Sequence, residues 1–480
     1  MKIIQNGFQR FSRSTLLWVF ALILVSSTGA GLDSCTLNGG LGHLLTAPVN
    51  AAETAQSFQK PPALSWPHEK SDLAPDPAVV FGELPNGFRY ALMENRTPKD
   101  RVSINLKVMS GSLNENDDQK GAAHFLEHML FNGSTHFAPG ELVTYFQTIG
   151  MQFGADANAY TGFDETVYGV LLPEGDEKNL SQEAYALSMQ RFGQMSTALY
   201  RSIDGQMQLS GYRFLAGGDL RFGLPPFESF TTLMLKDVRS WIDTALKNEP
   251  LEVSVVGDFD EASMIDIVGT YIGSLPARPG LGGAKRPSSI RFPAVQSSGI
   301  QVETEIPQAL IVVAYPTEDM WDIKRTRRLA VLGDIFSDRL RERLRESLGA
   351  TYSPYAYNRP WRAYPGYGVF QAAALVDPAQ TTVVVDEVRQ IISDLSKNGI
   401  RPDELERALG PSLTGIKDRI RTNAYWLDTV LTGSKQFPQQ IEWSRTIQTD
   451  YADITSRELS QLAAKYLNND KAAAIVIKPV

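Results

Sequence analysis

The sequence predicts two domains of the α+β class, each combining strands with long helices. Three observations carry that expectation. Val102, Ile104, Leu106 and Val108 alternate with polar neighbours in the period-2 pattern of a half-buried strand. Leu329, Leu332, Phe336, Leu340, Leu344 and Leu348 recur every three or four residues, the period of an amphipathic helix. Between them, the Pro- and Gly-rich stretch from Pro276 to Pro287 breaks the chain as a domain boundary does. The length of 480 residues agrees with two or three domains of about 150 residues each.

In chain order, Lys2, Arg10 and Arg13 precede an apolar run from Leu16 to Val25, followed by Ser26, Ser27, Gly29 and Ala30. This reads as an export signal over residues 1–30, cleaved near Ala30, which places the mature chain in the periplasm or outside the cell. A run this short falls well below the roughly 20 residues of a membrane span, although left uncleaved the segment would serve as an anchor. Cys35 follows Leu32-Asp33-Ser34, an acid where lipidation signals favour small residues, so it reads as a free thiol. Residues 31–78 hold Pro48, Pro61, Pro62, Pro67, Pro75 and Pro77 and read as an extended linker.

Folded structure is expected from Val79, with Asn86-Gly87 as a turn between two strands. After the Val102–Val108 strand, the polar loop from Gly111 to Lys120 leads into a helix. The β-branched and aromatic stretch from Phe153 to Leu172 predicts one or two strands. Leu251 to Val256 reads as a strand closed by Gly257-Asp258, then a helix ending near Ile272. A first domain over 79–275, a linker over 276–289 and a second domain over 290–480 result. In the second, a strand at Ala309 to Tyr315 precedes the long helix, which ends at Gly349. A helix from Thr382 to Ser396 stops at Asn398-Gly399, another begins near Pro402, and Ala472 to Ile477 forms a terminal strand.

A net charge of -8 and no basic stretch argue against a nucleic-acid partner, and a single cysteine excludes an intrachain disulfide framework. Chemistry concentrates in Gly121-Ala-Ala-His-Phe-Leu-Glu-His-Met-Leu-Phe131. On a helix His124 and His128 share a face one turn apart, so both imidazoles can meet one metal ion, with Glu127 beside them. A lone histidine on a helix is usually packed or solvated; here two of only five histidines stand at ligand spacing around a glutamate. Catalytic zinc needs neutral nitrogen ligands, an open position for water and a carboxylate that takes the water's proton, which H-x-x-E-H supplies from one turn.

With these residues the chain resembles the insulinase/pitrilysin family of zinc metallopeptidases, close to its bacterial processing-peptidase-like branch. The run from Phe146 to Thr166, Phe-Gln-Thr-Ile-Gly-Met-Gln-Phe-Gly-Ala-Asp-Ala-Asn-Ala-Tyr-Thr-Gly-Phe-Asp-Glu-Thr, is similar to the family's next segment, and the resemblance extends from about Val80 to the C-terminus. It implies two similar domains, each a mainly antiparallel sheet packed with long helices, facing each other as a clamshell. It implies Zn2+ held by His124 and His128, with Glu127 as the general base for attack of water on a peptide carbonyl. Asn158, Ala159 and Thr161 are similar to the edge strand that binds an extended peptide main chain to main chain; an ordinary covered strand is the alternative. Arg345 and Tyr352, seven residues apart, match the pair that steadies substrate and oxyanion from the second domain. Without the resemblance they read as helix-surface charge and core aromatic, and Arg339, Arg341 and Arg343 are alternatives to Arg345.

One element departs from the family pattern. Its third zinc ligand is a glutamate on a later helix, yet no Glu occurs between Glu183 and Glu228, and Asp204 is the only acid in the expected neighbourhood, Arg201 to Leu209. After about Leu180 the chain resembles the non-catalytic domains of longer members, as if the first domain were shortened. Two readings follow: a zinc metalloendopeptidase acting on peptides or unfolded polypeptide, and a silent homologue that binds peptides or a partner chain. Having both the zinc motif and the Arg/Tyr pair favours self-sufficiency and leaves a homodimer or a second family chain open.

Overall fold

The computed structural model describes residues 76–97, 99, 101–132, 138–148, 159–169, 186, 189–190, 199–225, 232–244, 246–277, 289–294, 297–348 and 354–480. The export-signal and linker expectations for residues 1–75 lie outside them.

Two mixed sheets of the same design organise the chain. The first is ordered β1-β2-β6-β3-β5-β4, from Val79–Glu83 (β1), Arg89–Glu94 (β2), Val102–Val108 (β3), Ala159–Thr161 (β4), Thr166–Tyr168 (β5) and Leu251–Gly257 (β6). The second is ordered β7-β11-β8-β10-β9, from Ser297–Val302 (β7), Ala309–Thr317 (β8), Tyr355–Pro360 (β9), Gly368–Val376 (β10) and Ala473–Pro479 (β11). Without β1 the two orders superimpose, and each contains one parallel pair, β2 with β6 and β7 with β11, among antiparallel neighbours. A helix follows the second strand of each unit: Ala122–Leu130 (α1) after β3 and Ile323–Leu348 (α5) after β8. The expected pair of similar, mainly antiparallel α+β domains is therefore present.

The first turn forms where Asn86-Gly87 required it: Gly87 sits at φ 82°, and β1 and β2 pair across it. On one face of the first sheet, Leu106, Val108, Val253 and Val255 pack with Phe125, Leu126 and Met129 of α1 and with Val238 and Trp241 of Leu235–Thr244 (α3). The opposite face carries Ser103, Asn105 and Lys107 of β3 and Glu252 and Ser254 of β6. Alternation alone would assign that face to water. In the structure it is covered by the second half: Val79, Ala91, Met93 and Val256 pack with Ile416, Tyr425, Leu427, Val430 and Leu431.

The cover is reciprocal. Ile203, Met207, Leu215 and Phe222, from the first half, pack on Val312, Ala314, Val369 and Ile475 of the second sheet. Both covering segments contain a wide helical turn, Met207–Gly211 in one and Tyr425–Leu431 in the other. The second sheet's other face packs on α5 and on Thr381–Asn398 (α6) and Ser456–Tyr466 (α9), helices that α5's leucine spacing and the stop at Gly399 foretold for the first two.

The interface therefore buries charge. Lys107, 1% exposed, pairs with Glu165; Arg362 Nη2 lies 2.5 Å from Glu165 Oε1 and 2.7 Å from Asp164 Oδ1. Burial alone would raise the Glu165 carboxyl, but Lys107 and Arg362 outweigh it and bring it down to about 2. A depressed carboxylate stabilises the fold in full above its ordinary value of 4.5, and that contribution is lost as pH falls toward about 2. Replacing Glu165 with Gln leaves two cations under-compensated. We expect urea unfolding at pH 7 to show a loss of roughly 3 kcal/mol, and stability between pH 4.5 and 2 to fall less steeply than in the parent; an unchanged acid slope would refute the assignment.

Candidate active site

Helix α1 starts abruptly because Gly121, at φ 92°, takes the left-handed conformation that a side chain would resist. The Glu115 carboxylate turns back over the helix start and accepts from the Gly121 and Ala123 N–H groups, each at 2.8 Å. It satisfies donors the helix leaves unpaired and sets a negative group against the helix dipole. Burial pushes Glu115 up to about 7 against these bonds. With Phe125, Leu126, Met129 and Leu130 turned into the core, His124, Glu127 and His128 share the remaining face.

The two imidazoles lie as the spacing implied. Their Nε2 atoms are 3.1 Å apart, with ring centroids at 4.8 Å and planes at 60°. Two nitrogens bound tetrahedrally at about 2.05 Å from one ion stand about 3.3 Å apart, so the pair fits a shared zinc. Burial, and for His124 also its neighbour His128, lowers both rings, His124 to about 4, which keeps them in the neutral form that coordinates. Glu127 is buried beside them; burial raises its carboxyl, while the Thr161 hydroxyl, donating to Glu127 Oε2 at 2.9 Å, holds it partly down. A carboxylate whose proton affinity is raised in this way is suited to accept a proton from a bound water. The fully buried Tyr168 phenol is kept protonated by burial and by the charge of Glu127.

Strand β4, which carries Ala159 and Thr161, stands at the end of its sheet among the described residues, paired with β5. Ala159 is buried, Tyr160 is half exposed, and the Thr161 side chain is committed to Glu127. Asn158 and Tyr352 lie outside the described residues. Arg345 is exposed in the last turn of α5. Its alternatives are engaged elsewhere: Arg339 with Glu404 at 2.8 Å, Arg341 with Asp338 at 2.5 Å and Arg343 with Asp394.

Asp204 does not join the histidines. It is exposed on a short helix, Ile203–Gln206, that packs on the second sheet, and its charge falls on Tyr355 of β9. Among the described residues no group of three His, Cys, Asp or Glu side chains converges to hold a metal. Reading a chain segment by its distance from the motif failed here because the segment crosses to the other half.

A sequence profile described as "Insulinase (Peptidase family M16)" matches residues 90–197, and one described as "Peptidase M16 inactive domain" matches residues 232–410, together more than half of the chain. The chain belongs to the insulinase family of peptidases. It is 25% identical over 381 residues to the "Probable zinc protease PqqL" of Escherichia coli, covering 73% of this chain and 40% of that protein. It is 24% identical over 414 residues to an "Uncharacterized zinc protease" of Rickettsia bellii, covering 82% of this chain and 96% of that one. The crystal structure of the first half of the periplasmic protease PqqL from Escherichia coli superposes with a TM-score of 0.61 at 22% identity, covering 85% of this chain and 93% of that chain. The chain thus spans well under two thirds of full-length PqqL, and the structural likeness concerns the fold.

Glu115 and the Thr161–Glu127 bond carried no sequence signal: an acid six residues before the N-cap Gly121 matches no capping pattern, and Thr161 lies 34 positions from Glu127. Changing Glu115 to Ala should uncap α1, lowering stability by about 1–2 kcal/mol in thermal unfolding and weakening zinc retention although no ligand is removed. Unaltered stability and zinc content would show that the cap is dispensable.

Proposed function

We propose that this protein is an exported zinc metalloendopeptidase that cuts peptides or unfolded polypeptide segments. The observation that carries the reading is the arrangement on α1: two neutral imidazoles with Nε2 atoms 3.1 Å apart and, one turn position away, a buried carboxylate held by Thr161. A structural metal site has no use for that glutamate.

When bound by His124 and His128, zinc supplies an acidified water and polarises the scissile carbonyl. Glu127 accepts the proton of the attacking water and returns it to the leaving amine, its burial raising its affinity for that proton. Strand β4 lines up an extended peptide through Ala159 and Thr161 backbone groups, and Asn158 contributes to the same substrate contact. Arg345 and Tyr352 supply guanidinium and phenol donors to the developing oxyanion. The N-terminal basic and apolar segment directs export, in keeping with a relative described as periplasmic. The chain works alone on its substrate, as a homodimer, or with a second family chain that completes the metal site.

One observation favours a second reading, a silent homologue that binds peptides: the described residues hold only two of the three protein ligands that catalytic zinc sites use. Zinc measured in the dialysed full chain separates the two. About one zinc per chain, lost when His124 and His128 are both changed to Ala, supports the peptidase. A Glu127→Gln variant should then keep its zinc and cleave peptides roughly a hundred- to ten-thousand-fold more slowly. Absence of retained zinc together with intact peptide binding would establish the second reading instead.

A further inference from the structure

The turn that joins β4 to β5 is held from outside its own half. Arg362, just beyond β9, contacts both acids of that turn, with Nη2 2.7 Å from Asp164 Oδ1 and 2.5 Å from Glu165 Oε1. Glu165 also pairs with Lys107 of β3 and accepts from the Tyr160 hydroxyl at 3.2 Å. Inside the turn the Gly162 N–H donates to the Glu165 carbonyl at 2.8 Å. The residue before it, Thr161, donates to Glu127 Oε2 at 2.9 Å. A contiguous chain of contacts therefore runs from the second half to the carboxylate beside the two histidines.

We propose that Arg362 is a positioning residue for Glu127, acting across the interface by clamping the Asp164–Glu165 turn, which fixes Thr161 and through it the Glu127 carboxylate. The hairpin needs such a clamp. Its strands are three residues each, so the β4–β5 ladder is short and holds the turn weakly by itself. Arg362 serves both acceptors through one nitrogen, Nη2, and its guanidinium is itself pinned, 5.2 Å from the Phe437 ring centroid. A lysine, a flexible point charge with no planar group to rest on the Phe437 ring, would hold the turn less firmly. Site geometry is thereby tied to the seating of one half on the other, since the clamp and the clamped turn belong to different halves.

The proposal rests on Glu127 serving as a peptidase base, but its structural part can be measured without catalysis. Amide hydrogen exchange is followed in the full chain for the parent, Arg362→Gln and Arg362→Lys. The Gly162 amide should exchange at least about tenfold faster in Arg362→Gln and by an intermediate factor in Arg362→Lys, while β8 and β10 keep parental rates. With zinc bound, peptide cleavage by Arg362→Gln should show kcat lowered about tenfold at nearly constant KM. Thr161→Val should give a similar loss, and the double variant should be no worse than the worse single, because both act through one bond. Unchanged Gly162 exchange would overturn the proposal. Faster exchange spread evenly over the chain, or kcat losses that multiply, would overturn it too, by assigning Arg362 a merely structural role. If the zinc-loaded parent cleaves no peptide, the peptidase reading fails separately, and hairpin exchange still decides for or against the clamp.

Discussion

The structure depends on charges that neither half could bury alone. Lys107 and Glu252 stand on adjacent strands of the first sheet, facing away from its helices, and both are 1% exposed. The second half provides what they need: Arg362 answers Glu165 alongside Lys107, the Gly433 N–H donates to Glu252 Oε1 at 2.8 Å, and Asn105 donates to Asp428 at 2.8 Å. Isolated ions in such a place would be prohibitive, and a well-made network adds little net stability over an apolar face. Its effect is to make one seating of the halves compatible with full pairing. Gly433 shows how tight that seating is, since it sits at φ 83° and a Cβ there would fall 2.3 Å from Lys107 Nζ.

The reciprocal cover has the same logic. Each half makes one helix-backed sheet face from its own chain and leaves the other to be covered by its neighbour, Met207 and Phe222 crossing one way and Tyr425 and Leu431 the other. The candidate site lies where this exchange meets α1. Its histidines are set by the helix, its glutamate by Thr161, and the strand bearing Thr161 by a turn gripped from across the interface. Local helical geometry supplies the ligands, and tertiary contact supplies the orientation of the base.

Several elements were legible because their signals are local. The Asn86-Gly87 turn, the alternation of β3 and the leucine repeat of α5 each follow from backbone preference and side-chain period, and each formed within a residue or a few of its expected limits. Less legible were strands such as Gly368–Val376, whose continuous apolar and small residues carry no period, and Tyr355–Pro360, which contains polar and proline positions. The polar face of β3 misled for a different reason. Alternation records which side chains share a face, and it cannot say whether that face meets water or another segment.

By itself the sequence determined the family, the repeated α+β design and the His124–Glu127–His128 constellation, because a helix converts spacing into geometry without outside help. Only the tertiary structure decided that Asp204 sits with the second sheet, that Glu115 caps the site helix, that Thr161 holds Glu127 and that Arg362 reaches the β4–β5 turn. Those contacts join residues that chain order separates by as many as 198 positions. Their pairing is fixed by how two sheets bury each other's open faces, a condition no local pattern encodes.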